Sequence, residues 1–165
     1  MGDAPGPQRA DFDETFTRSF GPMVRSLAVA CGDREVAADA VQEAFTKAFV
    51  RWSRVSRLDD PPGWIRHVAL NKIRDHYRKA ERGKRAVARL ASDAETVVPA
   101  PTEPSDLATR LAALPEQQRI AAALFYVEDL SVAEIAHAMH LSDGAVKYHL
   151  HAARASLRAA MEPQS

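Results

Sequence analysis

The sequence has a single cysteine, Cys31, among its 165 residues. An internal disulfide is excluded, and one thiol cannot by itself build a thiolate metal site. Cys31 reads as a small apolar packing residue in a chain suited to a reducing cytoplasm. Long apolar runs are missing too: none approaches the roughly 20 residues needed to cross a bilayer. The opening Met1-Gly2-Asp3-Ala4-Pro5-Gly6 lacks the basic-then-apolar order of an export signal. Neither leader nor membrane anchor is expected. Net charge is also absent, since 22 Lys plus Arg meet 22 Asp plus Glu. As one number, that zero gives no hint of a polyanionic partner. Finally, no segment alternates β-branched and polar residues as strands do, so the expected fold is all-α.

What is present is the composition of a globular chain, 46% hydrophobic and 27% charged. Its charge is unevenly placed. From Trp64 to Leu90 nine cations face two anions, a net of +7, and the rest of the chain must carry −7. Residues 91–110 hold Asp93, Glu95, Glu103 and Asp106 against Arg110 alone, together with Pro99, Pro101 and Pro104. Proline removes helix donors and stiffens its neighbours, so a linker and domain boundary are expected there. The expected division is a first domain over 10–88, a linker over 89–106 and a second domain over 107–161.

Helical periodicity fills both domains. Val41, Ala44, Phe45, Ala48, Phe49 and Trp52 form one stripe of a helix over Asp33–Trp52. The segment before it, with Phe12, Phe16, Phe20, Val24, Leu27 and Ala28, is similar, and Gly21-Pro22 is expected to kink or divide it. After Asp59-Asp60-Pro61-Pro62-Gly63 a third helix is expected from about Trp64. Its polar face carries His67, Asn71, Arg74 and Arg78 at spacings of four, three and four, extended by Arg82 and Arg85. Cations broken by a neutral amide, with Trp64 and Tyr77 nearby, suit a nucleic-acid surface. A solvated basic face would have the same spacing.

The C-terminal part adds a sharper pattern. Leu114-Pro115-Glu116 opens a helix through Ile120, Ala123, Leu124 and Val127. Ser131 with Glu134 forms a capping box, flanked by Leu130 and Ile135 at staple positions. That short helix ends near Met139-His140. Ser142-Asp143 then caps a longer one, with Val146, Leu150, Ala153 and Leu157 on its apolar side. Short capped helix, tight turn and longer capped helix make a helix-turn-helix, although two packed helices without a DNA role would share the pattern.

These residues resemble a family. Leu114 to Arg119, Tyr126 to Ala136 and Ser142 to Lys147 are similar to region four of the extracytoplasmic-function sigma factors of bacterial RNA polymerase. Asp39 to Phe45 and Gly63 to Asn71 are similar to region two, most of all in its compact actinobacterial form. The resemblance spans roughly residues 10 to 161. It implies that Asp39, Gln42, Glu43 and Lys47 dock on the clamp coiled coil of the largest polymerase subunit. It further implies that Trp64, His67, Asn71, Lys72, Arg74, Arg78 and Lys79 hold opened minus-ten DNA. Asn71 would sit at the pocket for a flipped base, where its amide both donates and accepts. Ser142, Asp143, Gly144, Ala145, Lys147, Tyr148, His149, His151 and Arg154 would meet minus-thirty-five DNA in the major groove. Core RNA polymerase, including its beta flap, and promoter DNA are the implied partners, with an anti-sigma factor as a further one. The linker would thread the active-site and RNA-exit path.

The sequence also departs from that pattern. Positions usually rich in Arg read Tyr148-His149-Leu150-His151-Ala152-Ala153, and from Leu111 to Ser165 four cations meet six anions. Electrostatic attraction to DNA is weak for such a domain. His140 stands at a turn position usually held by Gly, though His tolerates positive φ better than most residues. His137, His140, His149 and His151 are not arranged as a zinc set, since His149 and His151 diverge on their helix, and no cofactor is expected. Protonation of His149 and His151 is expected to strengthen DNA binding. Asp75-His76 has no nucleophile, Gly-rich loop or metal carboxylates beside it, so catalysis by this chain is not expected. The rival reading is a helix-turn-helix regulator, which would need neither a polymerase-docking helix nor a base pocket.

Overall fold

The computed structural model describes residues 6–90 and 106–162. Among them lie eight helices and no strand: α1 Pro7–Cys31, α2 Arg34–Val50, α3 Trp52–Val55, α4 Pro61–Leu90, α5 Asp106–Ala112, α6 Glu116–Tyr126, α7 Val132–Met139 and α8 Asp143–Met161. The all-α class matches the expectation from periodicity. The expected Pro-containing linker falls mostly on 91–105, outside the described residues; its expected ends, Arg89 and Asp106, are helical.

Local chemistry sets the helix ends. Gly32 takes φ 77, the left-handed conformation that closes α1, and its N–H reaches Ala28 O at 2.8 Å. Asp33 then caps α2, accepting from the N–H groups of Glu35 and Val36 at 3.0 and 3.1 Å. Asp60 does the same for α4, accepting from Gly63 N–H at 3.0 Å. A Cβ at position 63 would collide with that carboxylate, so a larger residue would push the Asp60 cap aside. Ser131 and Ser142 cap α7 and α8, each accepting from the N–H three residues on at 3.1 Å. In place of the reciprocal bond of a full capping box, the Ser131 hydroxyl donates to Glu134 Oε1 at 3.1 Å.

Of the two outcomes expected of Gly21-Pro22, a kink or a division, division does not occur: α1 runs unbroken through Pro22. An internal proline costs about 3 kcal/mol. Met23, Val24 and Leu27 just beyond it are each almost fully buried, and such side chains contribute about 1.5–3 kcal/mol apiece, enough to outweigh the break.

Helices α1, α2 and α4 pack into one bundle, while α6, α7 and α8 form a second. The bundles are not separate. One apolar core runs from Met23, Leu27, Phe45 and Ile65 in the first to Leu124, Ile135, Val146 and Leu150 in the second. Contacts of α4 with α7, and of α1 with α5 and α6, join the two halves.

Candidate nucleic-acid interface

The positions on α2 expected to dock lie on one face. Asp39, Gln42 and Lys47 are exposed and Glu43 half-buried, while Val41 and Phe45 point into the core. Phe49, expected on the apolar side, is 56% exposed, since it lies at the rim of an aromatic group with Phe12. Glu43 pairs with Lys72 at 2.8 Å and with Lys47 at 3.6 Å. The Lys72 ammonium, ahead of the cost of partial burial, holds the Glu43 carboxyl below its ordinary range. Lys72 thus faces α2, where Asp39, Gln42, Glu43 and Lys72 line one shallow cleft.

Helix α4 starts at Pro61, three residues before the expected start at Trp64, and its length carries a continuous polar stripe beyond the bundle. Arg78, Lys79, Arg82, Lys84, Arg85 and Arg89 are all exposed. Arg78 makes only a long 3.8 Å contact with Asp75, and at such exposure ion pairs are worth little, so these cations stay available to phosphates. Trp64 is half-buried against the core. Tyr77 is fixed: its hydroxyl donates to Cys31 O at 3.0 Å, and burial pushes its pKa up to about 12. Burial likewise pushes the Cys31 thiol up, and that thiol donates to Asp33 O at 3.3 Å.

In the N-terminal half of the stripe His67 and Arg74 are half-buried and Asn71 is exposed. His67 Nδ1 lies 3.0 Å from Ala138 O, and its Nε2 lies 3.0 Å from Asn71 Nδ2. A neutral ring protonated on Nδ1 satisfies both contacts, donating to the carbonyl and accepting from the amide. The ring stacks on His140 with centroids 3.5 Å apart and planes 5° apart. Burial, first, then the nearby His140 and Arg74, lower the His67 pKa, partly opposed by the Ala138 carbonyl. Arg74 meets Glu116 at 3.4 Å, and its Nη2 is buried with no hydrogen-bond partner.

Arg66, one of the nine cations between Trp64 and Leu90, lies off the polar stripe. Its side chain is 7% exposed, with Nε and Nη2 at 2.7 and 2.6 Å from Glu128 Oε1, and Ser26 donates to the other Glu128 oxygen at 2.8 Å. Neither Arg66 nor Glu128 has a local sequence signal. Arg119 was equally unassigned: it donates to Ala30 O at 2.7 Å, at the carbonyl end of α1, where cations are favoured.

On α8, Ser142, Asp143, Gly144, Lys147, Tyr148 and His151 are exposed, with Tyr148 at 66%, and Ala145 is half-buried. His140 adopts φ 53 and closes α7, so the turn tolerates it as expected. His149 and His151 part company: His151 is exposed, while His149 Nδ1 is buried without a partner. Arg154 folds back on its own bundle, donating to Tyr126 Oη at 2.7 Å with its guanidinium 5.3 Å from the Phe125 ring centre. Among the described residues no three His, Cys, Asp or Glu side chains stand where they could hold a metal ion.

Residues 16–83 match the Sigma-70 region 2 family, and residues 105–157 match Sigma-70, region 4. The ECF RNA polymerase sigma factor SigF of Caulobacter vibrioides is 31% identical over 140 residues, covering 82% of this chain and 74% of that protein. SigM of Bacillus subtilis is 26% identical over 152 residues, covering 89% and 93%. The chain covers only 34% of the probable sigma factor RfaY of Xanthomonas campestris, at 33% identity. Of solved structures, sigma factor RpoE in complex with the anti-sigma factor NepR, from Bartonella quintana, shares the fold at a TM-score of 0.73 and 20% identity, with 90% and 95% of the two chains covered. CnrH in complex with the cytosolic domain of CnrY aligns at 0.65 and 27% identity, covering 97% and 92%. A regulator outside this family would give no account of the region 2 match. With both regions matched in order, the chain belongs to the extracytoplasmic-function sigma factors of the sigma-70 family.

Proposed function

We propose that this chain joins core RNA polymerase in the cytoplasm, brings it to a small set of promoters, and melts them, the chemistry remaining with the polymerase. The supporting observation is the division of faces on the first bundle. Asp39, Gln42, Glu43 and Lys47 present a mixed-charge surface on α2, while α4 carries its stripe from His67 into the exposed cations that end at Arg89. In this reading α2 docks on the clamp coiled coil. Asn71 reads a flipped minus-ten base, His67 and Trp64 shape its pocket, and Arg74, Arg78 and Lys79 hold phosphates. Lys72 supports Glu43 as well as DNA.

The exposed start of α8, residues Ser142 to Tyr148 with His151, would enter the major groove at minus thirty-five. Arg154 is tied to Tyr126 and His149 is half-buried, so readout there depends on Lys147 and Tyr148. The second half would rest against the beta flap, with 89–106 as the linker between domains. An anti-sigma factor is a further partner, as for the RpoE structure described above.

Run-off transcription with purified core polymerase and fragmented genomic DNA tests this. Initiation at a discrete set of sites, dependent on the chain, is expected. No initiation above core alone would refute the proposal.

A further inference from the structure

We propose that Tyr148 sets the sequence preference of the helix-turn-helix by reading a thymine in the major groove through its 5-methyl group. This rests on the reading of α8 as the helix that enters duplex DNA at minus thirty-five. Buried Val146, Leu150 and Ala153 fix which side of α8 faces its own bundle. Gly144, Lys147, Tyr148 and His151, at spacings of three, one and three, lie together on the exposed side. The N-terminal residues of such a helix are the ones that reach base edges.

The members of that patch differ in what they can read. Gly144 has no side chain, and Asp143, at the first position of the helix, carries the same sign of charge as the phosphates. Lys147 offers a mobile point charge that suits a phosphate as well as a guanine. Tyr148 is the one bulky apolar side chain of the patch and, at 66%, the most exposed aromatic residue among the described residues. Its ring stands edge-on to His149, with centroids 5.5 Å apart and planes at 69°, a contact that restrains it before DNA arrives. An aromatic side chain with two rotatable angles loses little freedom on binding.

A free guanidinium fork, a usual reader of guanine, is missing from this surface. Arg154 donates to Tyr126 Oη at 2.7 Å and lies against the Phe125 ring. Arg158 sits about 15 Å further along α8 than Tyr148, past the half of the helix that meets bases. Of the four bases only thymine presents a methyl group in the major groove, and apolar contact with it discriminates without a hydrogen bond. An exposed ring is suited to that contact. Four cations against six anions from Leu111 to Ser165 leave little sequence-independent attraction, so a base contact at Tyr148 carries a correspondingly large share of recognition.

The test selects duplexes from a pool randomised across the upstream promoter element, using core polymerase joined by the full chain. The wild-type holoenzyme should select a thymine at one position. Replacing that thymine by uracil, which differs only in lacking the methyl, should weaken binding about fourfold, the worth of one methyl group removed from water. Tyr148→Phe should keep this difference, since the hydroxyl takes no part. Tyr148→Ala should bind the thymine and uracil duplexes equally and lose the preference at that position alone; Tyr148→Gln serves in its place if the alanine chain loses helicity. No selected thymine, or a uracil duplex bound as tightly as the thymine one, would overturn the proposal without any variant. A Tyr148→Ala chain that weakens every duplex alike and keeps the difference would overturn it too, making the tyrosine a phosphate contact. Should core polymerase gain no initiation from the chain, the sigma-factor reading fails, and the same selection with the chain alone decides the thymine reading.

Discussion

Asn71 and His67 act as one unit. The Asn71 amide donates to His67 Nε2 one turn back on α4, and in the proposed promoter complex it turns to a base edge. Asn71→Ala should slow promoter opening roughly tenfold or more, the worth of about 1–3 kcal/mol of base discrimination. Core binding should persist. Permanganate reactivity of the melted strand, beside a core pull-down, reads both; loss of core binding as well would make Asn71 a structural residue. His67 adds a pH dependence. Its pKa is below the ordinary 6.5 in the folded chain, so the neutral ring adds stability that is fully present above 6.5 and fades as pH falls from 6.5 through the lower folded value. The groups facing it are Asn71 and Arg74 on α4, the Ala138 carbonyl, His140 and, further off, His137. Stability in urea should fall on acidification below 6.5 and fall less in His67→Gln; equal profiles for the two chains would remove the effect.

At the scale of elements, caps and packing divide the work. Asp33→Ala removes two bonds from the start of α2 and should cost about 1 kcal/mol in urea unfolding, since a lost N-cap is worth about 0.5–2. A loss under a few tenths would mean that packing alone sets that helix start. These features were legible beforehand because they are local: Ser131, Ser142 and the stripe of α8 each signal within four residues. That α1 continues past Pro22 was not legible for the same reason. Its penalty is local, whereas the burial of Met23 and Leu27 that outweighs it depends on α2 and is invisible in a window of sequence. Arg66 and Glu128 lie 62 residues apart, and nothing in either neighbourhood reveals the other. The positions of the stripe and docking face could be read by resemblance; the covering of His67 by α7 could not.

For the whole molecule, the shared core predicts cooperative behaviour. The two halves should melt in one transition in the wild-type chain, and Glu128→Gln, by leaving Arg66 buried and unpaired, should separate them into two. Calorimetry decides: two wild-type transitions would mean that the halves fold independently. The zero net charge also resolves at this scale. The cationic arm of α4 is offset by acidic groups elsewhere, and one of its nine cations is neutralised by Glu128 from the other half. The account as a whole holds that α2 docks on the polymerase while the polar stripe of α4 holds opened promoter DNA, with Asn71 at the base edge. Permanganate reactivity of a promoter incubated with core polymerase and either the wild-type chain or Asn71→Ala addresses this directly. Reactivity near minus ten that depends on the chain and falls roughly tenfold in Asn71→Ala is predicted, and equal reactivity with both chains would contradict it.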